Sequence, residues 1–389
     1  MSSFPSGKAV VVGAYESPRR VAPGVHPYEI HAEVVAGALA DAGLQLADVD
    51  GFATTGTFPP ESGWQLSAVE VAEYLGLAPR WIDSSDLGGA AFVSHAGHAV
   101  AAIATGMADV VVVSYAAAGR SAPVPFPDYN VGSWGPGQWE VPYGPTTVST
   151  YALAAQRHMH QFGTTSDQLA GIAVQMRRNA ENNPDARYRS PLTIDEVLES
   201  TMIASPLHKL DCCVVTDSGG AFVITSAERA KDLPGRAVSI LGFGEAVGQT
   251  SMNQMPDLTL TSAAESGRRA FETAGLRHDD IDVAQLYDSF TITVALGLES
   301  LGFVGRGEAG PFVEAGGIAA DGALPINTDG GGMSSNHPGR RGALALIEGV
   351  RQLRGTSPGV QLTAPQTCLV NATGGSLSAN ATMILGGDR

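Results

Sequence analysis

The chain has 389 residues, with 23 Lys and Arg against 39 Asp and Glu and a formal charge of −16. That balance excludes the broad basic face nucleic acid requires, though not a basic pocket for one small anion. The composition is 44% hydrophobic with 48 glycines, and no run of 18 or more apolar residues occurs, so a globular chain with many tight turns and no membrane span is expected.

The opening "MSSFPSGKAVVVGAYESPRR" has no basic region leading into an apolar core, so no signal peptide is read, and "KAVVVG" reads as a strand. "IDSSDLGGAAFVSH" reads as a strand end, a turn at Gly88 and Gly89, and a helix start. Enzymes place nucleophiles on such turns because a helix N-terminus stabilises developing negative charge; here the turn holds glycines instead. "HAVAAIATGMADVVVVSYAAAG" is a helix broken at Gly106 and Asp109, then a buried strand. From about 118 to 210 the chain is first rich in Pro, Gly, Trp and Tyr, then helical, then punctuated by Pro. This segment reads as a loop domain that covers the site and holds the substrate's long arm. "GFGEAVG", Gly242 to Gly248, mimics a dinucleotide loop, but "QTSMNQMPD" follows rather than a helix, so no nucleotide cofactor is read there.

The chain nearly repeats itself. "AGALADAGLQLADVDGFAT" from Ala36 matches "RRAFETAGLRHDDIDVAQL" from Arg268, aligning Ala42 with Ala274, Asp48 with Asp280 and Asp50 with Asp282, each 232 residues apart. "KAVVVG" matches "RAVSILG", "DLGGA" matches "DGGGM", and "DVVVVSYAAAG" matches "TCLVNATGG", in the same order. Two α/β halves follow, 1–232 and 233–389, with mostly parallel sheets and helices on their faces. A pseudo-twofold axis would bring both glycine turns and both strand ends to one centre.

Cys212, Cys213 and Cys368 are odd in number, and two are adjacent, which suits a reducing, cytoplasmic setting; all three read as core. His158 and His160 would face different ways on a helix, and His95 and His98 lack a completing carboxylate or Cys, so no metal site is read.

Four ordered stretches carry a family resemblance: "PLHKLDCCVVTDSGGAFV", "YDSF" at Tyr287–Phe290, "NTDGGGMSSNHPG" at Asn327–Gly339, and "NATGGSLSANATMIL" at Asn371–Leu385. Together they resemble the thiolase superfamily, and within it the sterol-carrier-protein-type thiolase-like or lipid-transfer branch that includes steroid side-chain aldolases. The resemblance implies a thiolase fold, two halves in a five-layered αβαβα arrangement with the loop domain in the first. It implies no cofactor held by the chain, with coenzyme A entering as part of the substrate. A homodimer, and a small OB-fold, zinc-ribbon acyl-CoA-binding partner, are also implied.

In that family a cysteine on the first glycine turn takes the acyl group. Here the position falls on or next to Gly89. The His of the family's "GHP" is kept as His337. The family's second cysteine falls at Ser289 or at Asn371, and the His of "HDCF" has become Tyr287. The expected reaction is therefore retro-aldol cleavage of a 3-hydroxyacyl-CoA with no covalent intermediate. His337 and Tyr287 exchange the protons, with His337 favoured as base, and Asp288 either orients one of them or caps the following helix. Gly89 would offer a backbone N–H beside space left for substrate, with Gly374 and Gly375 supplying opposing N–H groups. "SSNHPG" departs from the Tyr-containing segment of steroid aldolases, which leaves the acyl chain open. Two alternatives stand: a Claisen-type acyltransferase using Cys368 or a partner's nucleophile, and a non-catalytic acyl-CoA or lipid-binding scaffold.

Overall fold

The computed structural model describes residues 4–58, 66–122 and 135–387, so 123–134 of the expected loop domain lie outside the described residues. The strands are β1 (Ala9–Glu16), β2 (Gly51–Ala53), β3 (Thr57–Phe58), β4 (Trp81–Asp83), β5 (Val110–Ala117), β6 (Met202–Ala204), β7 (Leu207–His208), β8 (Ser218–Ser226), β9 (Val238–Val247), β10 (Val283–Leu286), β11 (Thr367–Gly374) and β12 (Ala379–Gly386). Ten of them form one ladder, in the order β10-β11-β12-β9-β1-β8-β5-β2-β4, with β3 beside β5.

The repeat read from the sequence is built into this ladder. Outward from the β1–β9 seam, the first half runs β1, β8, β5, β2 and the second runs β9, β12, β11, β10. Matching steps have the same sense: antiparallel, antiparallel, then parallel. The helix Pro27–Ala42 ends on Gly43 at φ 68, ψ 27, and Ala263–Ala274 ends on Gly275 at the same angles. Each helix presses on a strand glycine. A Cβ on Gly13 would lie 2.8 Å from Ala42 Cβ, and one on Gly242 would lie 2.7 Å from Ala274 Cβ. The Asp50 carboxylate accepts the N–H groups of Asp109 and Val110, and that of Asp282 accepts those of Gln366 and Thr367.

The sheet is mixed rather than mostly parallel, because five of its nine pairings are antiparallel. Gly374 to Ser378 form a short turn, with Gly375 and Leu377 at positive φ, and a connection that short joins only antiparallel strands. "GFGEAV" lies within β9, where Gly242 and Gly244 admit the helix Ala263–Ala274 at close range.

Three apolar cores separate five layers. Helices Pro27–Ala42 and Ser67–Tyr74 cover the outer face of the first half, burying Ile30, Val34 and Val71. Helices Ala91–Ala104 and Gly342–Arg354 lie between the halves, where Phe92, Leu344 and Ile347 meet side chains from the strands of both halves. Helices Ala263–Ala274 and Thr291–Ser300 cover the outer face of the second half, joined by Thr147–Phe162 and Ser166–Ala180 of the loop domain. The αβαβα arrangement is the one expected. Among the described residues, no helix is long and apolar enough to cross a membrane.

The loop domain covers the second half's glycine loops. Asn179 Nδ2 donates to the carbonyls of Ile326 and Asn327, and Asn183 Nδ2 donates to that of Asp329. Tyr151 Oη donates to the carbonyl of Gly375.

Candidate active site

The first glycine turn is held by Asp86, whose carboxylate accepts the Gly88 N–H and pairs with Arg340. Gly88 has φ 58, a conformation a side chain resists, and it lies against Gly374 and Gly375. The first glycine turn meets the Gly374–Gly375 loop through backbone packing so close that neither Gly88 nor Gly374 tolerates a Cβ. The space beside Gly89 is not left for substrate. A Cβ there would come within 2.6 Å of Tyr287 Cζ and also strike the Thr373 carbonyl oxygen. The Tyr287 ring fills the volume a cysteine would take.

Tyr287 directly follows β10, and its N–H donates to the Asn371 carbonyl. Its hydroxyl oxygen accepts the Arg341 N–H at 3.2 Å, which leaves the phenolic proton free to be donated elsewhere. Its ring meets that of His337 edge-on, with centroids 5.5 Å apart and planes at 89°. Burial pushes the Tyr287 hydroxyl well above its ordinary pKa, so it stays protonated.

His337 is clamped by the first half. Its N–H donates to Thr216 Oγ1, Tyr115 Oη donates to the neighbouring Pro338 carbonyl, and Asn336 is bonded to Glu16, Thr216 and Ser218. It does not cap the helix Gly342–Arg354, whose N-cap is Arg341 with no side-chain bond. His337 Nε2 is buried and has no hydrogen-bond partner among the described residues. Burial, reinforced by the Arg341 charge, lowers the imidazole to about 3, so His337 is neutral. Tyr287 and His337 thus rest as a neutral acid and a neutral potential acceptor in edge-to-face contact.

Asp288 neither caps the next helix nor hydrogen-bonds His337 or Tyr287. Its two oxygens accept the N–H groups of Gly332 and Met333 and so hold the second glycine turn, Gly331–Ser335. Burial raises its carboxyl to about 6, against the pull of Arg341 3.5 Å away. Ser289 spends its hydroxyl on Thr293 Oγ1. Asn371 donates its amide to Thr382 Oγ1 on β12, which is bonded in turn to Ser266 of the outer helix. Neither side chain joins the Tyr287–His337 pair. Cys368 is fully buried in β11, its thiol pushed up by burial, and is no nucleophile there.

Arg341 ties these parts together and was missed in the sequence. It is 1% exposed, forks onto both Asp329 oxygens at 2.7 and 2.8 Å, and donates Nη1 to the carbonyl of Asn336, the residue before His337. Burial opposes its charge, but Asp329 and Asp288 outweigh that and keep it ionised. The available signal was a cation in "GRRGALAL", directly before an apolar helix and twelve residues after the aspartate of "DGGGM". Sequence reading also missed that Asp83 and Glu245 converge on His98, at 2.6 and 3.3 Å.

The thiolase C-terminal domain-like family matches residues 244–387. The 17-hydroxy-3-oxo-4-pregnene-20-carboxyl-CoA lyase of Mycobacterium tuberculosis is 37% identical over 90% of this chain and 93% of that protein. The steroid side-chain-cleaving aldolase of Thermomonospora curvata is 34% identical over all of both. The chain belongs to the thiolase superfamily, in its sterol-carrier-protein-type thiolase-like branch. The solved structure of an Ltp2-ChsH2(DUF35) aldolase superposes on this thiolase-like chain with a TM-score of 0.89, at 33% identity and full coverage of both. An acetyl-CoA acetyltransferase of Methanothermobacter thermautotrophicus is 33% identical over 87% of this chain and 89% of that protein. Lyase and aldolase relatives agree with the expected carbon–carbon lyase, and the acetyltransferase matches the alternative.

Proposed function

We propose that this thiolase-like protein cleaves the C2–C3 bond of a 3-hydroxyacyl-CoA by a retro-aldol step, with a steroid or other lipid side chain as the acyl group. One observation carries the reading: the Tyr287 ring fills the place beside Gly89 where an acylated cysteine would sit. The lyase and aldolase relatives support the reaction class and the steroid substrate.

His337 Nε2 takes the proton of the 3-hydroxyl, and the oxygen's electron pair forms the carbonyl of the departing ketone or aldehyde. The C2–C3 pair passes to the thioester as an enolate. Tyr287 gives its proton to C2, and His337 returns the first proton to the tyrosinate. The order follows from electrostatics. Burial disfavours a resting tyrosinate, and the neutral imidazole has an open nitrogen. As a weak base, His337 takes the proton only as the C–C bond opens. The Arg341 charge acts on His337, and the Arg341 backbone N–H donates to the Tyr287 oxygen and so steadies the transient tyrosinate.

The chain works as a homodimer with a small OB-fold, zinc-ribbon acyl-CoA-binding partner, in the cytoplasm, and holds no cofactor of its own. The edge strand β4, paired among the described residues with β2 alone and exposing Ile82, supports the dimer, and the pairing of Ltp2 with ChsH2(DUF35) in the solved aldolase supports the partner. The test is chromatography of the chain, alone and with that partner, on 3-hydroxyacyl-CoAs. A ketone or aldehyde and a shortened acyl-CoA in equal amounts are expected. Acyl transfer to a second CoA would instead indicate the acyltransferase, and tight binding without turnover the scaffold.

A further inference from the structure

An open cleft of about 450 Å³ lies behind the loop that leads to His337, lined by Arg177, Glu181, Arg187, Tyr188, Arg189 and Ser190. Arg177 Nε donates to Ser334 Oγ, and the N–H groups of Arg187 and Tyr188 donate to the carbonyls of Ser335 and Ser334. The cleft and the second glycine turn therefore share a wall.

Its charge is unbalanced. Arg341, Arg351 and Arg354 each meet a carboxylate, whereas among the described residues Arg177, Arg187 and Arg189 have none within 4.0 Å. Glu181 lines the cleft without pairing to any of them. The guanidinium carbons of Arg177 and Arg187 both lie over the Tyr188 ring, 5.2 and 5.3 Å from its centre. Arg177 is only 7% exposed, and Arg187 Nε is buried without a partner among the described residues. Two like charges on one ring, one of them desolvated, are costly together unless an anion joins them. Arginine forks pair with phosphate oxygens two at a time. The concavity suits a small molecule rather than an extended chain.

We propose that this cleft binds a phosphate group carried by a small molecule. Two sources share that chemistry: the nucleotide end of an acyl-CoA, which rests on the reading of a CoA thioester as substrate, and a free nucleotide. Calorimetric titration of the full chain with pyrophosphate, ADP and CoA, in wild type and in Arg187→Ala/Arg189→Ala, tests it. Thermal melting checks that the variant stays folded. Pyrophosphate binding weakened tenfold or more in the variant is expected. A parallel loss for CoA identifies the substrate's phosphates, and a loss for ADP but not for CoA identifies a free nucleotide. Arginine-dependent pyrophosphate binding with no binding of CoA to wild type would uphold the cleft and contradict the CoA reading. Equal binding of all three to both proteins, or none to wild type, overturns the proposal.

Discussion

Tyr287 and Gly89 exclude each other's alternatives: the tyrosine ring stands where any side chain at 89 would have to go, within 2.6 Å of an ideal Cβ. The glycine is thus the counterpart of a filled position. Gly89→Ala should displace the ring, cost roughly 1–3 kcal/mol from overpacking, and lower turnover by about 10²-fold or more through misplacement. Denaturant unfolding and kcat/KM measure the two effects. A variant of wild-type stability and activity would show that the ring moves away freely.

His337→Gln keeps the backbone bond to Thr216 and removes the open imidazole nitrogen. Turnover should fall roughly 10²- to 10⁴-fold with the melting temperature little changed. Turnover within a few-fold of wild type would mean that another group takes the hydroxyl proton.

Iodoacetamide should leave cleavage unaffected. Cys368 is fully buried, burial pushes the thiols of Cys213 and Cys368 upward, and Cys212 donates its thiol to the His208 carbonyl. Time-dependent inactivation that substrate protects against would restore a cysteine to the mechanism.

His98 joins the halves electrostatically, because Asp83 belongs to the first and Glu245 to the second. Hydrogen bonds to Asp83, then to Glu245, raise its imidazole to about 10. A raised folded value means the stabilisation is complete below the unfolded value of about 6.5 and is lost as pH rises through about 10. With the side chain about one-third exposed, its worth is on the order of 1–2 kcal/mol after solvent screening. Melting curves from pH 6 to pH 10 should fall less steeply for His98→Gln than for wild type, and parallel curves would remove His98 from the balance.

The repeat was legible because backbone needs recur at fixed spacing: the aspartates that cap loops at 50 and 282, and the glycines that end helices at 43 and 275. The glycine turns were legible for the same reason, whereas His337 and Tyr287 were legible through the family motifs they stand in. The antiparallel return of β12 was not, since the turn from Gly374 to Ser378 is longer than the two-residue loop a Gly-Gly pair signals. The filled space beside Gly89 was invisible because it depends on contact between residues 198 positions apart. Asp288 looked like a helix cap because its chain position suits one, yet the Gly332 and Met333 N–H groups claim it from across the fold. Arg341 hid because nothing local distinguishes a buried arginine from an exposed one until Asp329 is brought to it.

The most direct test of the central claim, that Tyr287 supplies the proton in place of covalent chemistry at residue 89, is single-turnover cleavage of a 3-hydroxyacyl-CoA by Tyr287→Phe with the partner protein present. Phenylalanine keeps the ring against Gly89 and removes only the hydroxyl that accepts the Arg341 N–H. A rate lower by about 10²-fold or more, with melting near that of wild type, is expected. Wild-type cleavage by this variant would contradict the account.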